Sequence, residues 1–450
     1  MNKVYALLLC LFAFCTVNGQ SIQEICESSV TNGTVVDCEF FDDALYATGF
    51  FSVICGEPTG FIAKWEEDEW VPASIGLSDP GHSLRVIDDK LYIARYEESI
   101  DSNWVYVYDG ATLEKVGQGV YLTTASGFSQ LPNIYDIIEY DGKIIACGEF
   151  DRVGEAAIQG IMQWDGTTWE ALGDGLSGSI PGTPSIMFPH QLLVHNDELY
   201  VVGNFRDAGG QEVNGIAKWD GTSRTGQGAG FYNTVYRLTV YNGDLIAGGS
   251  ITESDGVPMN RIARWNGSNW EALDFCFTPS SSNDFIFVHT LKVIDGELYM
   301  GGGLKEITYA DGSTEACDGI VSFSGSTLNT FMGGVPQNDI EAICKLEDGR
   351  LLFGGGVFGS GYTGIADLST SVVESPFTTA VSIAPNPFTD YVLVESSGDI
   401  LQYEVVNQLG AILARGVFEN RIELELFAGI YFLKLMYSDY TFSAHKIIRQ

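Results

Sequence analysis

One phrase recurs through most of this chain, and a fixed recurrence limits the possible folds more than any single motif does. It is an apolar run, an acidic or Asn-containing turn, then Leu-Tyr or two aliphatic residues, then glycine. It reads CEFFDDALYATG at Cys38, LRVIDDKLYIAR at Leu84, IIEYDGKIIACG at Ile137, LLVHNDELYVVG at Leu192, LTVYNGDLIAGG at Leu238, LKVIDGELYMGG at Leu291 and CKLEDGRLLFGG at Cys344. Aligned on Leu45, Leu91, Ile144, Leu199, Leu245, Leu298 and Leu351, the spacings are 46, 53, 55, 46, 53 and 53 residues. Glycine stands four residues after this anchor in six of the seven copies, and Arg95 takes its place in the other.

A second phrase follows each copy of the first. It reads IAKWEEDEW at Ile62, VYVYDGATLEKV at Val105, IMQWDGTTWEAL at Ile161, IAKWDGTS at Ile216, IARWNGSNWEAL at Ile262, IVSFSGSTLNTF at Ile320 and IADLSTSVVES at Ile365. Its aromatic position holds Trp65, Tyr108, Trp164, Trp219, Trp265 and Phe323, and fades to Leu368. Each unit therefore reads as two hairpins. Asp-Gly and Asn-Gly suit their tight turns, because both central residues must take positive φ. Four strands in a unit of roughly 40–55 residues is the pattern of a β-propeller blade. Seven units predict an all-β, seven-bladed propeller over residues 31–374, preceded by a short segment, 20–30. A closed ring buries the sheet faces that an open stack would leave wet at its ends. The pairs Trp164/Trp169 and Trp265/Trp270 are then expected as packing between blades.

Composition narrows the context. The 59 acidic residues against 23 basic ones give a net charge of -36. Such a polyanion repels phosphate backbones, which argues against nucleic-acid partners. The acidic surface is read as a source of solubility. Residues 1–19 have the layout of a secretory signal peptide: Lys3, an apolar run from Val4 to Val17, then small side chains before Gln20. That run is too short for a good membrane span, and no transmembrane segment is expected elsewhere.

The combined phrase is clearest in NDELYVVGNFRDAGGQEVNGIAKWDG, Asn196 to Gly221. It resembles the kelch-like and delta-60-type propeller repeats of secreted bacterial proteins. The resemblance implies a fold and leaves activity open, since propellers host enzymes, lectins and scaffolds.

After residue 374 the repeat stops. A linker, 375–380, leads into residues 381–450, whose alternating apolar pattern predicts a small Ig-like β-sandwich. This segment resembles the type A sorting domain of the type IX secretion system. The match is carried by Pro385, Asn386 and Pro387, by Gly429-Ile430-Tyr431, and by the terminal run from Lys446 to Arg449. The resemblance implies handling by that machinery and its surface protease in a Bacteroidota-type cell, with the protein secreted or held on the cell surface.

Seven cysteines follow the leader: Cys26, Cys38, Cys55, Cys147, Cys276, Cys317 and Cys344. They show no CxxC spacing, so no zinc site, metal or other cofactor is expected. Export permits disulfides. Cys26 and Cys276 precede first strands, and Cys55 and Cys317 fall in the loops after the second strands of the same units. This predicts Cys26–Cys55 and Cys276–Cys317 bridges. Cys38 and Cys344 share one repeat position and read as buried thiols, with a bridge between first and last blades as the alternative. His82, His190, His195 and His289 lie at or near inner strands. A metal site shared between blades is the less favoured reading of them.

No GxSxG, HExxH or P-loop occurs. A ligand site is expected around the central channel, on the face bearing the loops 150–159, 205–214 and 251–260. Arg152, Arg206 and Arg261 are the candidate binding residues, although they could equally only offset neighbouring acids. The function expected is a monomeric binding or adhesion module for a glycan or protein rather than an enzyme. The alternative is a carbohydrate hydrolase or lyase acting at the channel mouth.

Overall fold

The computed structural model describes residues 20–21, 23–24, 33–54, 56–97, 101–123, 131–178, 187–280, 285–317, 319–332, 339–357 and 360–366. In the C-terminal region it describes 381–384, 391–396, 400–406, 412–418, 421–424, 426, 429–437 and 442–449. The chain divides into two compact units, residues 1–367 and 368–450. Among the described residues the regular structure is all strand, and no helix is long and apolar enough to cross a membrane.

In the first unit seven sheets repeat one antiparallel order among the described residues. They are called blades 1 to 7 here. Their first strands are Val35–Phe41, Gly81–Ile87, Asn133–Tyr140, Phe188–His195, Val235–Tyr241, Val288–Ile294 and Ile340–Lys345. Each of these touches the next, and the last touches the first, which makes the fold a β-propeller. The cores lie between blades. One cluster joins Leu45, Ala47 and Val35 of blade 1 to Ala342 and Leu352 of blade 7, and another joins Val201 and Leu199 of blade 4 to Cys147 and Ile145 of blade 3. No blade buries its own faces alone, so the ring is the cooperative unit.

The first hairpin of blades 1 to 6 turns as its sequence dictates. Asp42/Asp43, Asp88/Asp89, Asn196/Asp197 and Asp295/Gly296 all take positive φ at both centres. Their twist matches that of the flanking strands. The second turn differs from this expectation in most blades. In Asp165-Gly166-Thr167-Thr168, Asp165 Oδ1 accepts the amides of Thr167 and Thr168, each at 2.7 Å. These bonds hold the exposed Asp165 carboxyl down to about 2, so the carboxylate serves the turn itself.

The repeat glycine has a local cause. In every blade the first strand carries a β-bulge or register shift near its start, as between Val35/Asp37, Ile134/Asp136 and Ile340/Ala342. In blade 2 it lies between Gly81 and Ser83, which face Arg95 and Ala94. The backbone before the bulge presses on the second strand. A Cβ at Gly148 would stand 2.0 Å from the Asn133 carbonyl oxygen, and one at Gly355 would stand 1.9 Å from that of Asp339. Blade 2 departs from the glycine rule: Arg95 there faces Gly81 across the ladder.

The seam is closed twice. Blade 7 takes its fourth strand from Gln23–Glu24, which pairs with Ser360–Ala366. Gln20–Ser21 adds a parallel strand to blade 6, opposite Phe331 and Met332. The sequence reading had set residues 20–30 outside the propeller. The seventh copy of the second phrase has lost its aromatic and its Gly turn, and the edge it would have covered is paired by the N-terminal segment instead. Cys38 and Cys344 form a disulfide between the first strands of blades 1 and 7, with Cα atoms 6.5 Å apart. The reading of these two as thiols is thereby corrected.

The bridge predicted between Cys276 and Cys317 is not made. Cys276 pairs with Thr308 on one side of the strand Glu306–Tyr309, while Cys317 follows Thr314–Ala316 on the other side and its amide donates to the Lys305 carbonyl. A whole strand intervenes, roughly 10 Å across two ladder spacings, beyond the reach of a disulfide. Cys26 and Cys55 lie outside the described residues. Cys147 is buried, and burial pushes its thiol well up.

The second unit holds two antiparallel sheets. One orders Val381–Ala384, Tyr391–Ser396 and Arg421–Glu423, and the other orders Ile412–Val417, Ile400–Val406, Gly429–Tyr437 and Phe442–Arg449. Val392, Val394 and Ile422 of the first share a core with Val405, Leu433, Leu435 and Ile447 of the second.

Candidate functional site

The paired tryptophans sit between blades. The rings of Trp164 and Trp169 are 5.3 Å apart, and those of Trp265 and Trp270 are 5.4 Å apart. The Trp169 indole N–H donates to the Val116 carbonyl at 2.9 Å, and that of Trp270 to the Gln227 carbonyl at 2.9 Å. Both acceptors directly follow the fourth strand of the preceding blade. Blade 4 has Arg224 where these blades have the second tryptophan. Its buried guanidinium donates to the Leu172 and Gly175 carbonyls of blade 3 and lies 5.5 Å from the Trp219 ring. Burial pulls its pKa down to about 10. These side chains are staples, and their donors are already used.

The chemistry gathers instead at the inner bulges. The residue each bulge leaves out of the ladder is Val36, His82, Tyr135, His190, Tyr236, His289 and Glu341, in blade order. Extra bulge residues re-aim side chains, and here the rings form a chain around the channel mouth. His82 stands 5.6 Å from Tyr135, Tyr135 5.1 Å from His190, His190 4.8 Å from Tyr236, and Tyr236 5.1 Å from His289. Phe50, Phe188 and Phe287 extend it outwards from His82, His190 and His289. At the same end of the blades Phe50, Tyr232 and Phe285 are exposed, Phe285 at 89%.

One position further along, polar side chains tie neighbouring blades together. Asp37 accepts the Leu84 amide at 2.8 Å, Asp136 accepts that of Leu192 at 2.9 Å, and Gln191 accepts that of Leu238 at 2.5 Å. Arg85 reaches Asp136 at 2.8 Å. Below the ring lies a cavity of about 280 Å³ lined by residues from all seven first strands, among them His82, Tyr135, His190, Arg237, Lys292 and Glu341. Among the described residues, neither Arg237 nor Lys292 has a carboxylate within 4.0 Å.

The ring is electrostatically uneven. Burial pulls His82 down to about 4, and burial with the Arg237 charge pulls His190 well down, so both are neutral at pH 7. Burial acts the same way on His289, but its hydrogen bond to Asp339 and the Glu341 charge outweigh that and move it upward. Burial pushes Glu149, next to Tyr135, up to about 7. It does the same to Glu341, with Asp339 adding and His289 opposing. His289, Asp339 and Glu341 are the described residues whose donor atoms converge as metal ligands would.

The structure does not bring Arg152, Arg206 and Arg261 to this mouth: none lines the cavity. Arg152 lies over the Tyr121 ring, Arg206 pairs with the exposed Glu212 at 3.0 Å, and Arg261 donates to the Ser250 and Ile251 carbonyls. They occupy different positions in their loops, so the fold has no reason to converge them. His195 lies at the far end of its strand, beside Asn196.

In the second unit, Gly429 faces Arg449 and Tyr431 faces Ile447 across one ladder, and Arg449 donates to the Leu424 carbonyl. Lys446 faces Phe432 in the same ladder. Pro385, Asn386 and Pro387 lie outside the described residues. Residues 382–450 match the family model described as a secretion system C-terminal sorting domain. The C-terminal unit is a sorting domain. The protein carrying it is handled by type IX secretion and delivered to the cell surface or the extracellular space.

No curated protein matches the chain. Among solved structures it is similar to PorZ, a surface component of the type IX secretion system of Porphyromonas gingivalis, at 11% identity and a TM-score of 0.35. That alignment covers 91% of this chain and 64% of PorZ, so the chain spans less than two thirds of PorZ's length. The propeller domain of the trilobed protease from Pyrococcus furiosus aligns at 11% identity over 76% of this chain and 95% of that one, with a TM-score of 0.42. The GH43_1 enzyme from Xanthomonas citri complexed with xylose aligns at 13% identity over 77% and 89%, with a TM-score of 0.27.

Proposed function

We propose that the passenger is a seven-bladed propeller that serves as a surface or extracellular binding module, and that its ligand is a glycan held at the channel mouth. The observation that carries this reading is the ring of imidazoles and tyrosines over a polar cavity, rimmed by exposed phenylalanines. Aromatic faces offer a large, rigid contact for the C–H faces of sugars, and their polar tips take up hydroxyls. The cavity is below the usual size for a drug-sized ligand, about 300–1,000 Å³. It would take the end of a saccharide chain while the outer aromatics hold the next units. Among the described residues Arg237 and Lys292 have no carboxylate within 4.0 Å, and they favour a saccharide bearing an acidic group.

A second reading has its own observation. Burial raises Glu149 and Glu341 to about 7, the range in which a carboxyl can serve a hydrolase or lyase as general acid. Screening the full chain against neutral and acidic saccharides, with turnover assayed in parallel, separates the two. The module predicts binding without turnover, weakened at least 10-fold by Arg237→Ala and unchanged by Arg206→Ala. No saccharide binding would end the glycan reading, and turnover lost in Glu149→Gln would establish the enzyme instead.

A further inference from the structure

The bulges of blades 6 and 7 set a histidine beside two carboxylates, and we propose that His289, Asp339 and Glu341 bind a divalent first-row transition cation. His289 Nδ1 is 3.2 Å from Asp339 Oδ2 and 4.0 Å from Glu341 Oε1. One donor atom from each residue lies within 4.8 Å of the other two. Donors about 2.1 Å from a shared cation stand about 3.0–3.4 Å apart at octahedral and tetrahedral angles. The first pair already has that spacing, and the second needs to close by less than about 1 Å, within reach of one side-chain torsion.

A second observation points the same way. Asp339 Oδ1 is buried and has no hydrogen-bond partner. Among the described residues no Lys or Arg lies within ion-pairing distance of Asp339 or Glu341, whose pairing is with His289. Two converging carboxylates largely removed from water are costly when no cation is in ion-pairing contact, and Arg237 acts on Glu341 only from beyond that distance. A bound cation supplies the missing charge and takes the lone pair that nothing else takes. The rest of the ring offers no such set: His82 and His190 contact aromatic rings and, in the case of His82, Asn133.

The donor chemistry selects the ion. One imidazole with two carboxylates suits Zn²⁺, Mn²⁺ or Fe²⁺ better than Ca²⁺, which prefers six to eight oxygens. Three protein donors leave coordination positions open, and Glu341 is part of the cavity wall. The cation is thus placed to meet whatever enters the mouth, and the site stands whether or not that is a saccharide.

The test is titration calorimetry on the full chain, stripped with chelator, using Zn²⁺ and Mn²⁺ and no other ligand. One cation per chain is expected, not displaced by a 100-fold excess of Ca²⁺. Affinity should fall at least 10-fold in each of His289→Ala, Asp339→Asn and Glu341→Gln, with thermal midpoints of the stripped proteins recorded alongside. Co²⁺ added to the wild type should give the d–d absorption of mixed nitrogen and oxygen coordination, a readout independent of any variant. Only weak, many-site binding, as an acidic surface gives, would overturn the proposal. So would stoichiometric binding that the three substitutions leave unchanged.

Discussion

The outer hairpins and the inner bulges are both repeated around the ring, but they repeat different things. In the outer hairpins one contact recurs in blades 3, 4 and 5: Trp169 and Trp270 donate to the carbonyl after the preceding blade's fourth strand, and Arg224 does the same with another group. In the inner bulges only the backbone recurs. The side chains run from Val36 through three histidines and two tyrosines to Glu341. Where the outer position bridges neighbouring blades it keeps an N–H donor, while Leu113 and Leu328 stand there in blades 2 and 6. A position freed from the ladder is open to differ from blade to blade, and that difference is where a site can arise.

The seam, where both patterns close on themselves, should respond most strongly. Cys38 and Cys344 are separated by 306 residues. Linking so long a loop removes about 5–6 kcal/mol of denatured-state entropy in the chain-entropy model. Denaturant unfolding with and without reductant should show a loss of that order, and coincident curves would remove the bridge from the account of stability. The outer hairpins come next. Trp270→Ala should cost about 3–5 kcal/mol, from lost burial and the orphaned Gln227 carbonyl, while leaving cation binding at the mouth intact. Loss of binding in that variant would erase the distinction between the two regions.

The smallest effect belongs to the mouth and is seen through pH. Glu149 ordinarily titrates near 4.5 and is raised to about 7 by burial. Between those values the folded state keeps a proton that the unfolded chain gives up. Its contribution is therefore full below pH 4.5 and declines as pH rises through 7. In Glu149→Gln the decline in unfolding free energy from pH 5 to 7.5 should shrink by about 1–2 kcal/mol. Parallel profiles for wild type and variant would mean that Glu149 is solvated.

The difference between the regions also explains what could be read from the sequence. Asp42-Asp43 or Asp295-Gly296 announces its own φ angles, so hairpins and blades are legible locally, as are tryptophans facing the next blade. The ring at the mouth was missed because a bulge breaks the alternation that strand reading relies on. A signal existed. Counting nine residues back from the anchors Leu45 to Leu298 lands on Val36, His82, Tyr135, His190, Tyr236 and His289, and the longer turn before Leu351 makes it ten for Glu341. The arginines misled for another reason. A surface guanidinium finds whichever acceptor is nearest, as Arg206 finds Glu212, and linear spacing does not encode that choice.

The N-terminal strands set an order of events. Gln20 and Ser21 complete blade 6 beside Phe331 and Met332, and Gln23 and Glu24 complete blade 7 beside Gly364 and Ile365. Residues 20–24 thus wait for strands made more than 300 residues later. Such long-range pairing makes folding slow. A chain whose last strands are still unmade keeps two blades short of an edge strand, so the ring can close only when synthesis is nearly complete.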